Sequence, residues 1–141
     1  MDVLRGERYR AAIVTIVRVL GGLLFMEHGA QKLFGFFGGM GGGTVPLASQ
    51  MGLAGVLEFF GGLLIVLGLL TRPVALLLAA EMVIAFSQAH LPRGGFPIQN
   101  MGELPLLYLL LFLVLSGTGA GPLSVDALLG RTRTASRAAA P

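Results

Sequence analysis

Glu27, His28 and Lys32 fall within six residues of one another in the stretch FMEHGAQKLF (25–34), directly after the apolar run AAIVTIVRVLGGLL (11–24). Three more carboxyls (Glu58, Glu81 and Glu103), together with Gln88 and His90, sit in or beside similarly apolar surroundings. Carboxyl, imidazole and amine groups are the side chains that take and give protons in catalysis. In lipid they are costly: a charged residue at mid-span costs about 2.5–3.5 kcal/mol on insertion scales. Residues of that cost are expected to face one another or a cavity, not acyl chains. A bland role remains open to them, because buried Glu–Lys and Glu–Arg pairs also serve to fix helix register.

The rest of the chain must position these groups. Of its 141 residues, 55% are hydrophobic and only 12% are charged, against roughly 25% charged in a soluble domain. Too few charges are present to cover a water-exposed surface, so the composition points to an integral membrane protein. Four apolar segments, about 11–34, 52–70, 73–90 and 101–119, each approach the ~20 residues that a helix needs to cross hydrocarbon. Lipid requires backbone groups to be satisfied within each segment, which selects helices. The expected fold is all-α: a four-helix antiparallel membrane bundle over residues 1–130, ending in a short interfacial helix, with a disordered tail over 131–141. The basic start followed by a long apolar run that ends in charges reads as a retained first span, not a cleaved leader.

Local signals mark the boundaries. Thr71-Arg72-Pro73 makes a short turn in which Thr71 is placed to cap the third helix and Pro73 suits its first turn. Pro92 is expected to stop that helix near His90. Pro105 falls in the first turn of the fourth, where it is tolerated. In the tail, Ser124 is placed to cap a short helix with Asp126 in its first turn. The glycine-rich stretch 35–50 reads as an outer loop, with a lid formed by Phe36, Phe37, Val45 and Leu47 as a second reading.

Seven arginines (Arg5, Arg8, Arg10, Arg72, Arg131, Arg133 and Arg137) fall on one side of this arrangement, and only Lys32 and Arg93 on the other. The positive-inside rule then puts both termini in the cytoplasm. The same distribution assigns the basic residues to topology beside lipid and excludes a nucleic-acid partner. By depth, the polar groups of all four segments gather in the outer half, and Arg18 alone lies well toward the cytoplasmic side. At ~100° per residue, Arg18, Gly22, Phe25, Gly29 and Lys32 share one helix face. Gly55, Glu58, Gly62 and Ile65 share another, and Glu81, Ala85 and Gln88 a third. Small residues on these faces suit close helix approach, so the faces are expected to point inward, whereas Glu27 projects outward.

The chain has no cysteine, which excludes thiolate catalysis, disulfides and thiolate metal sites for this chain acting alone. No His or Glu pair has the i,i+4 or Glu-x-x-His spacing of a helical metal site, so no metal is assigned.

The stretches HGAQKLFG (28–35), EFFGGLLIVLGLLTRP (58–73), AAEMVIAFSQAHLPRGGFPIQNMGE (79–103) and GTGAGPLSVDAL (117–128), in this order, resemble the DoxX family of bacterial membrane proteins. The matching positions are His28, Gly29, Lys32, Glu58, Arg72, Glu81, His90, Glu103 and Asp126. The resemblance implies a four-helix protein of the bacterial inner membrane. It also implies membrane redox chemistry, since relatives are found as subunits of a thiosulfate:quinone oxidoreductase. With no flavin site or haem ligand pair in this sequence, any redox role rests on bound quinone or on a partner's cofactor.

The expected site follows from these two readings. Phe25, Phe59 and Phe86 hold a quinone ring, His28 or Lys32 donates to a carbonyl, and Glu58 or Glu81 relays protons, with Gln88, His90 and Glu103 completing the polar lining. The partners expected are membrane lipid, a redox partner subunit and a second copy of the chain. The competing expectations are a non-catalytic module that binds a small lipophile or scaffolds a partner, and, more remotely, a proton-coupled permease.

Overall fold

A computed structural model describes residues 2–130. The region expected to be a disordered tail lies outside the described residues. Four long helical stretches dominate: α1 (Asp2–Phe34), α2 (Gln50–Leu67), α3 (Thr71–Arg93) and α4 (Glu103–Thr118). Among the described residues, β pairing is limited to an isolated bridge between Met40 and Gly43.

The first three helices are long and apolar enough to cross a membrane. The fourth has 16 residues, or about 24 Å at 1.5 Å per residue, somewhat short of the ~30 Å hydrocarbon core.

Helix α1 begins at Asp2, well before the expected residue 11. The polar start adds two exposed turns of helix to the apolar run. Helix α2 begins at Gln50 because the Ser49 hydroxyl accepts the Gly52 N–H (3.0 Å), an N-cap that satisfies one of the orphan amides of a helix start. Both α2 and α3 contain a π-helical turn, Leu57–Gly61 and Phe86–His90 respectively. The α and π turns of α3 end at His90, as expected, and the path continues through a short 3₁₀ turn, Leu91–Arg93, that accommodates Pro92 at its start. A separate helical turn, Pro97–Asn100, precedes α4.

Association of helices in lipid depends on close packing and interhelical hydrogen bonds, since the hydrophobic effect is absent there. Helix α1 packs along α2, and α3 along α4. The α1–α2 seam is built from glycine. A Cβ added at Gly29 would lie 2.7 Å from the Gly55 carbonyl oxygen, and one at Gly62 would lie 2.9 Å from that of Gly22. Gly22 and Gly29 on α1, and Gly55 and Gly62 on α2, are each seven residues apart, two helical turns, so the backbones stay in contact along the seam. The core joins all four helices through Phe25, Ile65, Leu78, Met82, Tyr108, Phe112 and Leu115. Phe25 stacks edge-on against Phe112, with ring centroids 4.8 Å apart.

The cap of α3 differs from expectation. Thr71 is not its own cap: the Asp126 carboxylate accepts the N–H groups of Leu70 (2.8 Å) and Thr71 (2.9 Å). Residues 125–130 are helical, and Ser124 caps them by accepting the Ala127 N–H (3.1 Å). This segment is anchored at the α2–α3 turn, where the Asp126 N–H donates to the Gly68 carbonyl (2.9 Å).

Candidate functional site

Two of the inward faces predicted by phase meet; on the third, Glu81 is buried but Ala85 is half-buried and Gln88 is exposed. On α1, Arg18, Phe25 and Lys32 are buried, with Gly22 and Gly29 between them; on α2, Gly55, Glu58, Gly62 and Ile65 are buried. Glu58 lies in the π turn of α2. Such turns pair i with i+5, occur mostly as single turns within α-helices, and are frequent at functional sites. Its carboxylate forms a buried ion pair with the Lys32 ammonium. The glycine seam brings the two helices close enough for this pair, since a Cβ at Gly55 would lie 3.0 Å from the Lys32 Cβ.

Beside the pair lies a cavity of about 610 Å³ lined by all four helices. Helix α1 contributes Phe25, His28 and Lys32; α2 contributes Glu58 and the apolar residues Leu53, Ala54 and Leu57. From α3 come Leu77, Ala80, Glu81, Ile84, Gln88 and His90, and from α4 Leu104, Pro105 and Tyr108. The volume lies in the range of small-molecule sites, about 300–1,000 Å³, and the pattern of apolar walls with a few polar groups is theirs too.

Glu81 is the distinctive group. It is buried, it lies within electrostatic reach of Glu58 and Lys32, and neither of its carboxyl oxygens has a hydrogen-bond partner. An ionised carboxylate left alone in an apolar interior is strongly unfavourable. The group is therefore satisfied by taking up a proton or by a donor that reaches it from the cavity it lines. Lys32 has three donors, of which Glu58 takes one.

His28 meets the Tyr108 ring edge-on at 5.8 Å. His90 Nδ1 lies 3.0 Å from the Asn100 carbonyl, and its ring stacks on Phe86. Gln50, at the start of α2, donates to Gln88, near the end of α3. Among the described residues, no group of three or more His, Asp or Glu side chains is placed to hold a metal ion.

Three sequence-expected site residues lie outside this lining. Phe59 packs edge-on against Phe34 (5.1 Å) and Phe60 (5.3 Å). Phe86 backs His90, and Glu103 is exposed in the first turn of α4. The lid reading of the 35–50 loop fails as well, because Phe36, Phe37, Val45 and Leu47 are absent from the cavity wall and only Gln50 of that stretch reaches it. The loop instead closes the end of α1, with the Val45 N–H donating to the Lys32 carbonyl (2.9 Å). Sequence reasoning missed Tyr108, although it is one of only two tyrosines and the one polar side chain in the apolar run between Glu103 and Ser116.

A helical membrane protein with a ligand-sized cavity around buried acid and base groups is thus defined. The chain belongs to the DoxX family, whose sequence profile matches residues 13–91. It is similar to an uncharacterized protein of Haemophilus influenzae, at 40% identity over 85% of this chain and 92% of that one. It also resembles a Bacillus subtilis protein named "Putative oxidoreductase CatD", at 32% identity over 79% of this chain and 82% of that one. The inner membrane protein YqjF of Escherichia coli is 33% identical over 84% of this chain and 92% of its own length. No solved structure matches the chain significantly.

Proposed function

We propose that the chain crosses the bacterial inner membrane four times as an antiparallel bundle with cytoplasmic termini. We further propose that its cavity binds quinone as a subunit of a membrane oxidoreductase system. The observation that carries the quinone reading is Glu81, a buried carboxyl without a partner that faces a cavity beside the Lys32–Glu58 pair. The arginine distribution supports the orientation. The short α4 fits the bilayer at the modest cost of local thinning. The names of the Bacillus and Escherichia relatives support the redox and inner-membrane parts of the reading.

In this reading Phe25 and Tyr108 wall the ring, and a free N–H of Lys32 donates to one quinone oxygen. Converting a quinone to a quinol consumes two electrons and two protons. The electrons come from a redox centre on a partner subunit, and Glu81, with Glu58 behind it, passes protons to the oxygens. His28, beside Tyr108, sits at the edge of the same cavity.

The test is quinone binding to purified protein in nanodiscs. Wild type is expected to bind, and Glu81→Gln and Lys32→Ala to weaken binding at least tenfold. Absence of binding to the wild type overturns the reading. The Lys32–Glu58 pair is satisfied without any ligand, and that favours a second reading: a non-catalytic module that holds a lipophile. Under it the protein binds a lipophile but supports no quinol-dependent electron transfer when its partner subunits are added.

A further inference from the structure

We propose that the cavity is reached sideways from the bilayer. A slot between α2 and α3 admits the apolar tail of a membrane-dissolved ligand while its polar head meets Glu81 and the Lys32–Glu58 pair. The identity of the head rests on the quinone reading; the route does not.

Part of the cavity wall is also the outer surface of the molecule. Leu53, Leu77 and Ile84 line the cavity, yet they are 58%, 52% and 50% exposed. Ala80 is likewise exposed and lining. Leu77, Ala80, Glu81 and Ile84 follow the i, i+3, i+4, i+7 pattern, so they form one stripe of α3. That stripe lies about 9–20 Å along the helix from Thr71 at 1.5 Å per residue, within the ~30 Å of hydrocarbon. An opening at this depth meets acyl chains, not water.

The slot also has a frame. Its inner edge is closed where α2 and α3 touch: a Cβ added at Gly61 would lie 2.8 Å from Leu78 Cδ2. Contact between the two helices runs from their turn to the π turn of α2 and thins out over Gln50–Val56. Its other edge is crossed by the Gln50–Gln88 hydrogen bond, which ties the two helices together there. No such gap exists along the glycine seam of α1 and α2. Glu81, on the same stripe as the slot, supplies the buried, unpartnered group that calls for a polar head.

Two measurements test the route. The chain has no cysteine, so Ala54→Cys can carry a single bimane label inside the slot, with Leu110→Cys on the exposed face of α4 as reference. Lipids brominated on the acyl chain are expected to quench both labels, and aqueous iodide neither. Quenching at position 54 by iodide, or none there by brominated lipid, overturns the proposal. In the second measurement, Ala80→Trp narrows the slot. A decyl-tailed benzoquinone is expected to lose at least ten times more affinity than the same ring without a tail; equal losses overturn the proposal. Wild type that binds neither quinone, with position 54 still quenched by brominated lipid, refutes the quinone head and leaves the route standing.

Discussion

The two ends of the helix cluster bury charge in opposite ways. At one end the Arg18 guanidinium is enclosed by backbone. It donates to the carbonyls of Ile65 (2.6 Å), Val66 and Leu123 (2.6 Å). Ile65 and Val66 lie in the last turn of α2, where a cation is favoured by the helix dipole; the Ile65 carbonyl also accepts the Gly68 N–H (3.1 Å). Asp126 does the complementary work at the start of α3, accepting two orphan amides. At the other end, Lys32 and Glu58 bind each other, and Glu81 binds nothing. One end uses its charges to complete the backbone of neighbouring helices; the other keeps hydrogen-bonding capacity in reserve beside a cavity. Burial alone therefore does not mark a site. Unspent hydrogen bonds beside a cavity do: Arg18 Nε and Thr71 Oγ1 also lack partners, but neither residue lines the cavity, whereas Glu81 does.

Breaking the pair at the cavity end is expected to have the largest effect. Lys32→Met leaves Glu58 buried without its cation, a change that costs about 3–5 kcal/mol in other proteins. The thermal midpoint should fall sharply, while the double variant Lys32→Met/Glu58→Leu should recover much of the loss. If both variants melt alike, the pair contributes no coupling and the site rests on Glu81 alone. At the opposite end, Arg18→Met removes the Arg18 donors from three carbonyls, of which Ile65 keeps the Gly68 N–H, and an unsatisfied buried acceptor costs about 1–3 kcal/mol. Its thermal midpoint should fall too, but quinone affinity should stay within a few-fold of wild type in protein that remains folded. A selective loss of binding in Arg18→Met would erase the distinction between the two ends.

Glu81→Leu sharpens the comparison, because it separates stability from binding. Removing a buried polar group that has no partner costs little and is neutral or favourable. The thermal midpoint should therefore hold or rise slightly while quinone affinity falls at least tenfold. A large destabilisation would mean that Glu81 is a structural residue, like Arg18.

This contrast was partly legible in the sequence. Phase arithmetic at 100° per residue placed Arg18, Phe25 and Lys32 on one buried face and Glu58 and Ile65 on another, because long transmembrane helices keep a regular period. The same arithmetic argues against Phe59, one residue and thus ~100° away from Glu58, and it turns Phe86 off the Glu81 stripe. Ring chemistry suits those two residues to the site, but their phase does not. Glu103 had the right depth, but it begins a helix, where an exposed carboxylate is stabilised by the dipole. The π turns were not legible, because they arise from packing between helices and carry no composition signal of their own. The Asp126 cap was hidden for a different reason: it joins residues 55 and 56 positions apart, and local capping rules look only three residues ahead.

The smallest effect concerns that cap and is a matter of pH. Burial alone would raise the Asp126 carboxyl, but the N–H groups of Thr71 and Leu70, with Arg18 nearby, outweigh it and hold the group below the usual carboxylate range. A depressed native value means that the unfolded chain takes up protons first as pH falls. The clasp's contribution is therefore complete above the ordinary Asp value of about 3.9 and is lost as pH drops through the lower native one. Amide chemical shifts of Leu70 and Thr71 should titrate together below that value in wild type and stay flat in Asp126→Asn. The cavity end should be unaffected over the same interval, so tail-dependent quinone binding should not follow this titration. If it does, the two ends are coupled through α2 and α3, and the Asp126 clasp acts as a control on the slot instead of a static closure.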